Sequence, residues 1–291
     1  MNEILSAITA LLTAPSAAND KTAIPNVGFI SCANTVHIRH VPFHDPCVIL
    51  VLSGRKTFYE GSQAITAETG DVLTIPAPAS FDLRNEPDQR SRKYRALIIP
   101  FSIEQLERVG KAHNIDHERQ QQQIRILRFA QDKVFLSAIK HYLEPIEQPS
   151  LITHRLMEIL LILVNKSPQL LSYILSQHSW SRRVRAMMAA DLTSTWEISD
   201  ICARLATTES TLRRHLKNEN TGFRELLAEL RLSSALMQLM QTALPIYQIA
   251  YDCGYQSVSR FSSNFHKRFG LPPRKLREAV NESGQSLAVS E

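Results

Sequence analysis

Pro245–Arg277 reads PIYQIAYDCGYQSVSRFSSNFHKRFGLPPRKLR, and the rest of the chain is best read outward from it. Ile246, Ile249, Ala250 and Cys253 recur at helical spacing until Gly254-Tyr255 interrupts them. A second apolar series, Val258, Phe261, Phe265 and Phe269, is stopped by Gly270 and Pro272-Pro273. Two short helices joined by a tight turn, the second rich in Ser, Asn, Lys and Arg, predict a helix-turn-helix. Gly254 is the turn residue expected to need a positive φ. Phe261, Phe265 and Phe269, with Tyr255, are expected to be core.

The same unit occurs upstream. Trp180–Leu192 predicts a first helix carrying Val184, Met187, Met188 and Leu192 on one face. Ser199 is a candidate N-cap, with Asp200 favourable at the helix start. Ile201, Cys202 and Leu205 point inward, Ala206-Thr207-Thr208 makes the turn, and Glu209–Glu219 is a helix with Leu212 and Leu216 inside. Ile198 and Ile201 match Ile246 and Ile249 at an offset of 48, Leu212 and Leu216 match Phe261 and Phe265 at 49, and Gly222 matches Gly270 at 48. A duplicated unit means two recognition helices in one chain. Between them, Phe223–Met240 is a helix without Gly or Pro; its 18 residues at ~1.5 Å each span about 27 Å. One turn of B-DNA is about 34 Å, so a rigid connector of this length suits successive major grooves on one face. In all, seven helices are expected over 180–280.

The pattern I-x-x-I-A-x-x-C-G-Y-x-S-x-S-x-F-x-x-x-F-x-K-x-F-G-x-x-P-x-x-x-R in 246–277 resembles the signature of the AraC/XylS transcription regulators. The resemblance implies double-stranded DNA as a partner, contact with RNA polymerase, activation as the default outcome, and no catalysis. On the first recognition helix the outward residues are Ser210, Thr211, Arg213, Arg214 and Lys217. Arg213 and Arg214 are the foremost base readers, since a guanidinium can bond both O6 and N7 of guanine. On the second helix Val258, Ser259, Ser262 and Ser263 fall at the positions the resemblance makes base-contacting. Members of the family often carry Arg or Gln there, so the small residues here shift base reading toward the first helix. Lys217, Arg260, Asn264, Lys267 and Arg268 are the phosphate candidates.

Charge supports this placement. Residues 178–280 hold 15 Lys+Arg and 9 Asp+Glu, a balance of +6, whereas the remainder holds 18 and 19, a balance of −1. A basic module joined to a near-neutral one suggests that the C-terminal part meets a polyanion. Cys32, Cys47, Cys202 and Cys253 show no C-x-x-C spacing and read as reduced thiols. No run approaches the ~20 apolar residues that span a bilayer. The segment Ile4–Ala14 has Glu3 and no Lys or Arg ahead of it, unlike a signal peptide. A cytoplasmic location is expected.

The N-terminal half has a different texture. Residues 26–30, 36–39, 48–52, 57–59, 72–75 and 94–100 are short, β-branched-rich segments with frequent turn signals, predicting a small sandwich or barrel. Gly70–Pro76, GDVLTIP, resembles the cupin-type barrel that precedes the DNA-binding module in many AraC/XylS proteins. The fold class is therefore α+β: a small cupin-like β-barrel with packing helices, then an all-α module of two helix-turn-helix units. The expected parts are an N-terminal helix or arm at 1–23, the barrel at 24–100, helices at 101–177, the DNA-binding module at 178–280 and a disordered tail at 281–291.

Catalytic cupins hold metal with an H-x-H pair and a third His. His37, His40 and His44 do not form one, because His37 and His40 point to opposite faces of a strand. No metal, cofactor or catalytic residue is expected. A pocket for a small organic effector, lined by Arg39, His40, Phe43, Phe58 and Tyr59, is the alternative. Ile152, Leu156, Ile159, Leu160 and Leu163 form an apolar face in 151–164, which either covers the barrel or makes a homodimer. Two other readings stay open: a cupin-type metalloenzyme with an accessory DNA-binding domain, and a regulator whose N-terminal domain binds a protein.

Overall fold

The computed structural model describes residues 2–13, 27–112, 126–146, 148–176 and 179–281. Residues 282–291 of the expected tail lie outside them. The chain divides into two compact units: Met1–His37 with Phe43–Gln177, and His178–Glu291 with the short piece Ile38–Pro42.

The first unit opens with helix α1 (Asn2–Thr13), followed by β1 (Gly28–Cys32), β2 (Val36–Phe43), β3 (Cys47–Ser53), β4 (Arg55–Glu60), β5 (Gln63–Glu68), β6 (Val72–Ile75), β7 (Ala79–Glu86) and β8 (Tyr94–Pro100). Helix α2 (Ile103–Ala112), strand β9 (Leu127–Phe129) and helices α3 (Lys133–Leu143), α4 (Ile152–Lys166) and α5 (Pro168–Ser176) complete it. The strands pair in two antiparallel sheets, one ordered β1-β8-β3-β6-β9 and the other β2-β7-β4-β5.

Strand β3 explains how the layers stack. All of Cys47–Leu52 is buried, which a strand with one wet face cannot achieve. Val48, Leu50 and Leu52 join a core with α1 to α5, whereas Cys47, Ile49 and Val51 point the other way, toward the second sheet. Helix α4 puts Leu156, Ile159, Leu160 and Leu163 into that same core, so its apolar face is spent within the unit. Asp132 caps α3 by accepting from the amides of Val134 and Phe135 at 3.0 and 3.2 Å, and it pairs with Lys166 at the end of α4.

The second unit holds, among the described residues, seven helices: α6 (Trp180–Met188), α7 (Ile198–Leu205), α8 (Glu209–Asn218), α9 (Phe223–Gln241), α10 (Ile246–Asp252), α11 (Val258–Phe269) and α12 (Pro273–Asn281). Val184, Met188, Ile201, Cys202, Leu205, Leu212, Leu216 and Leu226 make one core, so the N-terminal half of α9 belongs to the first helix-turn-helix. Leu232, Ala235, Leu236, Leu239 and Met240 bury the other half of α9. Among the described residues, no single helix is long and apolar enough to cross a membrane.

Candidate nucleic-acid interface

The first helix-turn-helix is built from α7 and α8. Helix α7 starts after Glu197, whose amide donates to the Asp200 carboxylate at 3.2 Å, so the cap lies two residues ahead of the expected Ser199. A reciprocal pair satisfies helix-start donors better than a lone serine. Ala206 ends α7 in the left-handed conformation, φ 49°. Thr208 then caps α8, its hydroxyl accepting from the Thr211 amide at 3.3 Å.

With Leu212 and Leu216 fully buried, Ser210, Arg213, Arg214 and Lys217 are exposed and Thr211 is half-buried. The hydroxyls of Ser210 and Thr211 lie 3.1 and 2.9 Å from the Thr208 hydroxyl, at the capped end of the helix. Arg213 reaches back one turn to Glu209 at 3.3 Å. Arg214 has no ion-pair partner among the described residues. The far end of α8 is anchored: the Glu219 carboxylate accepts from the amides of Trp180 and Ser181 at 2.7 and 3.0 Å, capping α6.

The second unit repeats this plan with aromatic packing. Helix α10 ends at a turn where Gly254 has φ 77° and the Tyr255 amide donates back to Ala250 at 2.9 Å. Ser257 caps α11. Phe261, Phe265 and Phe269, one per turn and fully buried, pack against one another along α11, and Tyr255 stands against Phe261 with centroids 5.3 Å apart. On the other side Ser259, Ser263, Arg260 and Lys267 are exposed, and Val258 and Ser262 are half-buried. Two phosphate candidates are otherwise engaged. Asn264 acts on the Tyr255 hydroxyl, whose pKa burial raises and Asn264 partly lowers, and Arg268 lies 3.4 Å from Glu229 on α9.

Helix α9 holds the two units together through residues that periodicity alone does not single out. Arg231 donates from Nε to the Leu192 carbonyl at 2.8 Å and from a terminal nitrogen to the Ser194 carbonyl at 3.1 Å, fastening the α6–α7 loop. Glu229 lies between Arg185 of α6, at 4.0 Å, and Arg268 of α11. The visible signal was a Glu-x-Arg pair between Leu227 and Leu232.

Of the expected pocket residues, Phe43, Phe58 and Tyr59 belong to the β-rich unit, and Arg39 and His40 to the short piece grouped with the C-terminal unit. Phe43 and Phe58 come together with Phe81, with ring centroids 5.7 to 6.0 Å apart. Arg39 and His40 are exposed on β2, and Tyr59 projects from the opposite face of β4 to Phe58, edge-on to His37 at 5.8 Å. The chemistry missed lies between the sheets. Lys56 is fully buried beside Phe58, its ammonium donating to Asn85 Oδ1 at 2.9 Å and lying 5.0 and 5.7 Å from the rings of Phe58 and Tyr94. Asn85 Nδ2 and the Tyr94 hydroxyl are buried there without a partner. Burial lowers the Lys56 pKa to about 8 and raises those of Cys32 and Cys47 to about 12. The available clue was that Lys56 shares one face of a short strand with Phe58.

Comparison with known proteins agrees with both halves. Residues 201–279 match a family described as a helix-turn-helix domain, and residues 46–173 match the ExsA N-terminal regulatory domain. The Escherichia coli dual transcriptional regulator Rns is 34% identical over 104 residues, 36% of this chain and 39% of that protein. The Escherichia coli transcriptional activator CfaD shows the same identity and coverage, and the Escherichia coli urease operon transcriptional activator is 37% identical over 88 residues, 30% of each chain. The chain thus spans less than half the length of these curated relatives. The fold as a whole resembles an apo single-residue variant of ToxT from Vibrio cholerae strain SCE256, with TM-score 0.65 and 17% identity over 87% of this chain and 97% of that one. It also resembles the unsaturated fatty acid-bound form of wild-type ToxT from the same strain, with TM-score 0.62 and 15% identity over 88% and 95%. One polypeptide thus joins a match to the ExsA N-terminal regulatory domain with a match to a helix-turn-helix domain, and its relatives over the second of these are named transcriptional regulators and activators.

Proposed function

We propose that this chain is a sequence-specific, double-stranded-DNA-binding transcription activator of the cytoplasm, and not an enzyme. The observation that carries the reading is the pair of capped helices, α8 and α11, each presenting a polar outer face, with α8 sharing a core with α9 and α11 tied to α9 through Arg268 and Glu229. Arg213 and Arg214 read bases, and Ser210 and Thr211 support them. Val258, Ser259, Ser262 and Ser263 add groove contacts that follow shape more than sequence. Lys217, Arg260, Asn264 and Lys267 meet phosphates, whereas Arg268 stays with Glu229. RNA polymerase is the partner that turns binding into activation. Selection of a random duplex pool by the full chain tests this: specific sites typically bind at least ~10³-fold more tightly than bulk DNA. A pool that yields no enriched sequence contradicts it.

A second reading concerns the β-rich unit and rests on Lys56. Lys56 Nζ, Asn85 Nδ2 and the Tyr94 hydroxyl are three buried donor groups, and the hydrogen bond from Lys56 to the Asn85 carbonyl oxygen leaves the other two unpaired. Buried donors of this kind call for an anion. The effector is then an organic acid, a chemistry also seen in the ligand of fatty acid-bound ToxT. A panel of carboxylic acids should raise the melting temperature of the wild type and leave Lys56→Met unmoved. If no acid acts, a protein partner is favoured for this domain. A homodimer through 151–164 would use the half-buried Met157 and Leu161, since the deeper face of α4 is occupied.

A further inference from the structure

We infer that Arg231 and Glu229 form a two-sided clasp that fixes the spacing between the two DNA segments this protein reads. The inference rests on the DNA-binding reading above and adds the residues that set its geometry. A continuous helix does not by itself hold two domains rigidly, because each can rock about its own packing. Here the two helix-turn-helix units also touch directly. A Cβ built on Gly254, in the turn of the second unit, would stand 2.3 Å from the Leu192 carbonyl oxygen of the α6–α7 loop and 2.8 Å from the Arg231 guanidinium. Only a residue without a side chain lets the units abut this closely.

Arg231 occupies that junction. Its side chain leaves α9, donates twice to the α6–α7 loop, and lies flush against the Gly254 turn. Its charge also reaches groups on both sides, helping to lower the pKa of Asp191 on one side and opposing the burial-driven rise at Cys253 and Tyr255 on the other. Glu229 precedes it by two residues, about 200° around the helix at 3.6 residues per turn. On that opposite flank Glu229 faces Arg185 of α6 and Arg268 of α11, so it too spans the first and second units. Two braces on opposite flanks at one level resist rocking in either sense. Arg231 and Glu229 touch no base, and are positioning residues.

The test uses the duplex that the full wild-type chain selects, and versions with one base pair inserted or deleted between its two half-sites. Wild type should lose about ten-fold or more in affinity on changed spacing, the size of a mismatched base pair. Arg231→Gln with Glu229→Gln should lose less than about three-fold, while holding a lone half-site within about two-fold of wild type. A merely stabilising role would not separate spacing from half-site affinity. If the double variant keeps the full penalty, α9 alone sets the spacing and the inference fails. It fails equally if half-site binding falls along with the penalty. If the double variant does not fold by circular dichroism, the single variants Arg231→Lys and Glu229→Gln decide by the same criterion. A wild type that selects no DNA defeats the functional reading instead, which is a separate result.

Discussion

Trp180 lies flat against His215, with ring centroids 4.5 Å apart and planes 13° from parallel, so the helix that opens the module backs the first of the two recognition helices. Arg183 covers the same indole at 4.9 Å. Glu219 completes the joint by capping α6. Glu219→Ala should cost about 1 kcal/mol, the usual worth of a helix cap, measured by chemical denaturation. Glu219→Gln should retain part of it, because the amide oxygen still accepts. Equal losses for both would mean that charge at the helix start matters more than the hydrogen bonds.

Arg213 and Arg214 sit side by side on α8 but differ in surroundings. Arg213 is shared with Glu209, and Arg214 has no ion-pair partner among the described residues. Replacing either by Ala should cost ~1–3 kcal/mol at the selected site and relax specificity at one position. Unchanged footprints in both variants would remove base reading from this helix.

Lys267 is exposed on α11, one turn beyond Ser263. Lys267→Ala should weaken binding to all sequences alike and reduce the slope of log K against log salt by about 1. A sequence-dependent loss would instead place Lys267 on a base edge.

Gly254→Ala meets two obstacles together, a positive φ and the Leu192 carbonyl. The expected cost is about 1–3 kcal/mol, the range for a strained backbone residue, read as a lower denaturation midpoint. Little change would show that the α6–α7 loop yields readily.

Lys56 gives the stability of the protein a specific dependence on pH. Burial lowers its pKa from the ordinary value near 10.5 to about 8, so the folded state disfavours the proton. Between pH 8 and 10.5 the unfolded chain binds more protons at this residue than the folded one, and its contribution to stability rises with pH. Below that window both states are protonated and the penalty is constant. Melting of Lys56→Met should lack that rising segment. An organic acid bound beside the ammonium should suppress it in wild type.

Much of this was legible before any coordinates. The α7–α8 and α10–α11 units follow from apolar spacing and their own repetition, and the boundaries of α9 agree with its lack of Gly and Pro. Strands β5, β7 and β9 were not legible, since their sequences QAITAE, ASFDLRNE and LRF carry little β-branched pattern. Their pairing is dictated by partners on other strands. Ser199 was overruled by a reciprocal pair that begins two residues earlier. Arg231 and Lys56 stayed hidden for a common reason. A charged residue reads as solvated surface unless its buried partners are known, and those partners are backbone carbonyls or side chains on other elements.

The most direct measurement is a hydroxyl-radical footprint of the full chain on its selected duplex. Two protected segments on one face, with centres about 34 Å or one helical turn apart, are predicted for α8 and α11 held by α9. A single protected segment would contradict the account, leaving one helix-turn-helix to read DNA and the other to serve only as scaffold.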